Sequence, residues 1–117
     1  MNKRILSKAL NIASLLQGQK QRISAIVADK KGNILSIGTN SYSKSHPLMA
    51  KYSRNVNKKK IYLHAEIDAL LKIPYGKIPH SIYIARAGEN NEPRLAKPCK
   101  ICQQAIKDVN IKNIYYT

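Results

Sequence analysis

Tryptophan and phenylalanine are absent from the chain, whose aromatic content rests on seven tyrosines. Cysteine occurs only twice, as Cys99 and Cys102, so no framework of disulfides staples the fold, and a reducing compartment is expected. Acid is scarce: 6 Asp and Glu stand against 21 Lys and Arg, a formal net charge of +15. Long apolar runs are missing too. Lys8, Asn11 and Ser14 interrupt the first apolar segment behind Lys3 and Arg4, so no signal peptide and no membrane partner are expected, and the reading is cytoplasmic. At 117 residues the chain is expected to form one domain, 1–117, that buries about two-thirds of its unfolded surface in a single core.

Against that background two short motifs stand out. His64-Ala65-Glu66 supplies an imidazole and a carboxylate, and Pro98-Cys99-Lys100-Ile101-Cys102 supplies two thiols. Pro98 suits the first turn of a helix, where its missing N–H would be unpaired in any case, so a helix is expected to open on the cysteines. Cys99 and Cys102 are then i, i+3 neighbours on one face. The positive end of that helix lowers thiol pKa and a metal lowers it further, which favours the thiolate form that zinc takes as ligand. His64 opens a second helical run through Ile67, Leu70 and Leu71. Residues two apart share no lateral face, so His64 and Glu66 must both reach a site beyond the helix end.

His64, Cys99 and Cys102 make three zinc ligands and leave the fourth tetrahedral position to water, the mark of a catalytic site. Glu66 within hydrogen-bond reach of that water would act as its general base. A closed structural site, with His46 or His80 as fourth ligand and Glu66 an ordinary first-turn acid, is the competing reading. A redox C-x-x-C or a disulfide is a weaker one, since it leaves the H-x-E pattern without a purpose.

H-x-E followed by P-C-x-x-C resembles the signature of zinc deaminases that act on cytosine or adenine, in which the Glu is not a ligand. From the first helix to Thr117 the chain is similar to the cytidine and deoxycytidylate deaminase superfamily, which also holds tRNA adenosine deaminases and polynucleotide cytosine deaminases. The stretch from Pro98 to Ile106, continued by Ile111-Lys112-Asn113-Ile114-Tyr115-Tyr116, resembles the deoxycytidylate branch more than the adenosine branch. The resemblance implies zinc as cofactor and hydrolytic deamination of a cytosine moiety, dCMP to dUMP in type, with release of ammonia. Cytosine in single-stranded DNA or RNA, tRNA adenosine, and a non-enzymatic zinc module that binds nucleic acid remain the alternatives. It also implies Asn40 as a sugar contact and the backbone N–H of Ala65 as a reader of the base carbonyl. A turn asparagine is the plainer account of Asn40.

Charge adds a partner. A phosphate-bearing ligand, either a phosphorylated cytosine substrate or single-stranded nucleic acid, is the natural counterpart of +15. Lys51, Arg54, Lys58, Lys59 and Lys60, interleaved with Tyr52 and Tyr62, lie just before His64, and Lys58, Lys59 and Lys60 are the candidate phosphate-binding residues. AT-rich coding also favours a chain rich in Lys, Ile and Asn.

The elements read as follows. Ile5, Ala9, Ile12 and Leu16 recur at helical spacing and give a first helix ending near Gly18. Strands at 23–28 and 34–37 flank a turn in which Gly32 and Asn33 are expected to supply positive φ. A polar loop running to about Lys60 has the length of a functional or mobile segment. Tyr42 and His46 could line an entrance there, but a polar loop needs no such explanation and neither is taken as a site residue. Then come a helix at 64–72, a break at Pro74-Tyr75-Gly76, a strand at 81–85, a loop at 88–97, the cysteine helix and a strand at 111–116. The expected class is α/β, a three-layer α/β/α deaminase-like fold on a short mixed sheet. Relatives continue into a further helix and a fifth strand, which this chain is expected to lack. Its last strand would then be an edge, with Tyr115 and Tyr116 as packing residues, and a homo-oligomer would cover it.

Overall fold

A computed structural model describes residues 1–18, 20–41 and 63–117. The first helix, α1 (Lys3–Ser14), opens on Asn2, whose Oδ1 accepts the N–H groups of Arg4 and Ile5 at 3.0 and 3.3 Å. That side chain satisfies donors with no acceptor inside the helix. The helix stops at Ser14, short of the expected end near Gly18, and buries Ile5, Ala9 and Ala13. β1 (Arg22–Ala28) and β2 (Ile34–Thr39) form the expected hairpin. Gly32 takes φ 88° in the turn, but Asn33 does not adopt positive φ. The Asp29 carboxylate shapes the turn instead, accepting from the N–H groups of Lys31 and Asn33 at 2.9 and 2.8 Å, which also holds its pKa below the usual range.

The remaining elements are α2 (Ala65–Leu71), β3 (Ser81–Ala87), β4 (Pro93–Arg94), α3 (Lys100–Asp108) and β5 (Asn113–Tyr116). β2, β1 and β3 pair antiparallel in that order, and β5 joins β3 in parallel, so the sheet is mixed. The count of strands departs from expectation, because the 88–97 loop contains the two-residue β4. β4 shares one edge of β3 with β5: β5 pairs Ser81 to Ile84, and β4 pairs Arg86 and Ala87. β4 therefore extends the edge that β5 already occupies without widening the sheet.

Both faces of the sheet are covered, as the α/β/α expectation requires. Ala25 and Val27 of β1 and Ile82 and Ile84 of β3 pack with Ala65, Ala69 and Ile106 of α2 and α3. Ile26, Ala28, Tyr83 and Ala85 point the other way, onto Ile5 and Ala9 of α1. Burial on two sides explains why these strands read as continuous apolar runs rather than alternating ones. Tyr115 packs on Tyr83 with ring centroids 5.0 Å apart, a structural contact as expected. No helix among the described residues is long and apolar enough to cross a membrane.

The placement of α2 rests on Gly38. A Cβ built there would lie 2.3 Å from the Ala69 nitrogen and 2.4 Å from the Ala65 oxygen, so only glycine lets the helix backbone approach β2 this closely. Polar contacts lock the fit: Ser36 Oγ donates to the Ala69 carbonyl at 2.7 Å, and the Thr39 N–H donates to Asp68 Oδ2 at 3.0 Å.

Candidate active site

His64 and Cys99 occupy equivalent places, each the residue capping its helix from extended backbone (ψ 152° and 171°). An extended cap throws its side chain beyond the helix start, which is how His64 and the first-turn Glu66 come to face one site. Pro98 sits before the cap rather than at the first helical position, and its carbonyl accepts Gln103 Nε2 at 2.7 Å. Cys102 lies in the first turn of α3 and is fully buried.

The three side chains converge. His64 Nδ1 lies 3.3 Å from Cys102 Sγ and 3.7 Å from Cys99 Sγ, and all three ligand atoms fall within 4.8 Å of one another. Zinc bonds of about 2.3 Å to sulfur and 2.0–2.1 Å to nitrogen, set at tetrahedral angles, require an N···S separation of about 3.5 Å. The observed pair of distances brackets that value, so the donor set fits the ion in both spacing and chemistry. Among the described residues no fourth side chain joins the group. His80 stands at the far end of β3, its N–H donating to the Ala28 carbonyl and its ring beside Asn113, away from the cysteines. His46 lies outside the described residues.

Burial and charge set the protonation states. Glu66 is 6% exposed, and burial pushes its carboxyl above the usual range. The hydrogen bond from Cys102, followed by contact with His64, holds the Cys99 thiol down at about 3. Cys102 moves the opposite way, raised by that same hydrogen bond and by burial. Without a metal charge the cysteines thus keep one proton between them, on Cys102, and two thiolates require the ion.

A cavity of about 350 Å³ opens at this cluster, walled by His64, Ala65, Glu66 and Cys99 with Asn40 and Arg86 opposite. Asn40 is buried, not a turn residue: its Oδ1 accepts the Ile23 N–H at 3.0 Å and its Nδ2 donates to the Gln21 carbonyl at 2.8 Å. Lys58, Lys59 and Lys60, with Lys51, Arg54, Tyr42, Tyr52 and Tyr62, lie outside the described residues. Sequence reasoning missed Gly38, Asp68, Arg86 and Leu95. Glycine inside a strand is a signal of close backbone approach and could have flagged the first. Nothing local marks the others.

The family model for the cytidine and deoxycytidylate deaminase zinc-binding region matches residues 1–117. The chain belongs to that family. It is a zinc-dependent deaminase, and its H-x-E and P-C-x-x-C residues are those brought together above. Solved structures share its fold. The dCMP deaminase of cyanophage S-TIM5, in complex with dCMP and dUMP, superposes with a TM-score of 0.65 at 20% identity, over 97% of this chain and 78% of that one. The apo form of the same phage protein gives 0.61 at 22% identity, over 99% and 84%. A Glu-to-Gln variant of the cytidine deaminase of Mycobacterium tuberculosis gives 0.61 at 14% identity, over 100% and 85%. No curated protein matches the sequence significantly.

Proposed function

We propose that this deaminase hydrolyses the exocyclic amine of cytosine in a deoxycytidine nucleotide, the dCMP to dUMP reaction, with Glu66 as catalytic residue and His64, Cys99 and Cys102 as zinc ligands. One observation carries the reading: a buried carboxyl lies beside a three-ligand zinc group in the wall of a cavity of about 350 Å³. Zinc held by these side chains supplies Lewis acidity that brings the pKa of the attacking water toward neutrality. Glu66 takes a proton from that water and passes it to the ring nitrogen as the oxygen bonds the amine-bearing carbon. It then moves the remaining hydroxyl proton to the amine, the C–N bond breaks, and ammonia leaves a keto base. A carboxyl whose pKa burial has raised is suited to both halves of that shuttle.

Two neighbours orient the base and sugar. Ala65 lines the cavity, and its N–H, at the first position of α2, has no acceptor within the helix, which suits it to the base carbonyl. Asn40 presents an amide held by the backbone of Gln21 and Ile23, a rigid group for the sugar.

The test is to incubate the zinc-loaded protein with dCMP, cytidine, adenosine and a cytosine-containing single strand and to score the keto product of each. dCMP is expected to turn over fastest, and Glu66→Gln should keep its zinc while losing at least a hundredfold in kcat. Activity of that variant within a few-fold of the parent would assign the proton transfer to another group, and faster turnover of adenosine would overturn the cytosine assignment.

A further inference from the structure

Beyond the zinc cavity lies a second, larger one of about 920 Å³, and the two share Gln21, Arg86 and Leu95. Its wall is basic: Lys20, Arg22, Arg86 and Arg94 face it, with Glu89 as the acid among its lining residues. The arginines differ in what already holds them. Arg22 is a structural tie, donating to the Ser14 carbonyl at 2.9 Å and to the Gly88 carbonyl. Arg94 is countered by Glu92 at 3.1 Å. The Arg86 guanidinium, half-buried, has no hydrogen bond or ion pair among the described residues.

Register sharpens the point. Arg86 of β3 is directly opposite Arg94 of β4, and it follows Ile82 and Ile84 on the face of the sheet that carries the zinc helices. Like charges directly opposite across a ladder repel. A half-buried guanidinium without a partner adds to that cost, and an anion between the two side chains relieves both. The planar fork of arginine matches phosphate bidentately, and this one opens onto both compartments.

We infer that the basic cavity is a phosphate subsite and that Arg86 is the specificity-determining residue that carries substrate phosphate out of the zinc cavity, with Arg94 and Lys20 beyond it. The inference rests on the cytosine-nucleotide reading above and deepens it, naming the cavity and the residue that would hold the phosphate of that substrate. The phosphate is either the monoester of a free nucleotide or a diester of a single strand.

The experiment compares the zinc-loaded parent with Arg86→Gln, Arg86→Lys and Arg94→Gln on deoxycytidine, dCMP and a short single strand holding one cytosine. A parallel calorimetric titration uses inorganic phosphate. In Arg86→Gln the ratio of kcat/KM for dCMP to that for deoxycytidine should fall about tenfold or more, through KM, and Arg86→Lys should restore part of it. A strand whose KM rises in Arg94→Gln and steeply with salt identifies the diester as the source; a response confined to dCMP identifies the monoester. An unchanged ratio overturns the subsite while leaving cytosine deamination standing. If no cytosine compound turns over, phosphate binding that is lost in Arg86→Gln supports the subsite and overturns the cytosine reading. Phosphate binding that is absent, or indifferent to Arg86, would then overturn both.

Discussion

Glu66 carries a cost that its neighbours do not remove until a cation is present. Its side chain is 6% exposed, and burial raises its pKa, so in the metal-free fold it favours the neutral form. An acid whose folded pKa lies above its unfolded value binds more protons folded than unfolded. Stability is therefore lost as pH rises from about 4.5, the unfolded value, toward the folded pKa. Glutamine keeps the shape and has no proton to lose. Metal-free Glu66→Gln should match the parent near pH 4 and become progressively more stable than it above that, by at most about 1.4 kcal/mol for each pH unit. Thermal melts of both proteins from pH 4 to 8 check this, and a constant difference would mean that Glu66 is not held neutral by its surroundings. With zinc bound the gap should narrow, since a dication nearby favours the carboxylate.

At the scale of elements, the site depends on how closely α2 lies on β2. Gly38→Ala would put a methyl group against helix backbone, which cannot swing aside as a side chain can. The expected cost is about 1–3 kcal/mol, with an accompanying loss of turnover as His64 and Glu66 move away from α3. Chemical denaturation and zinc stoichiometry of the variant separate the two effects. Full activity at unchanged stability would show that the helix can shift without harm. Gly38 also marks the limit of what the sequence discloses. His64, Glu66, Cys99 and Cys102 were legible because their chemistry is written in residue types at short spacing. The helices and main strands were legible because apolar periodicity is local. By contrast, β4 arises from pairing with the end of β3, Asn40 is fixed by the Gln21 carbonyl just before β1 and the Ile23 amide within it, and Arg86 gains its setting from a strand that no local pattern signals. Those contacts are long-range, so single residues do not reveal them. The Asn33 expectation failed for a related reason: the Asp29 carboxylate supplied the turn's hydrogen bonds, and only Gly32 needed positive φ.

For the whole molecule, zinc is a clasp between segments that the chain keeps 35 to 38 residues apart, the start of α2 and the start of α3. Beneath the ligands Leu63, Ile67, Ile101 and Ala105 pack with Cys102, so the two helices remain joined by apolar burial when the ion is removed. Chelation should thus lower the melting temperature without abolishing the cooperative transition. Removal of zinc also returns a proton to the protein. Cys102 is held as a thiol by its hydrogen bond with Cys99 and by burial, whereas Cys99 at about 3 is already a thiolate at neutral pH. Loading the site must therefore release at least one proton, from Cys102. The apparent zinc affinity should then rise about tenfold per pH unit through the neutral range. Competition titrations against a chelator of known proton linkage, from pH 6 to 8, measure that slope. A slope of zero would mean that both sulfurs ionise before the metal arrives, and the proton shared by the pair would have no part in assembling the site.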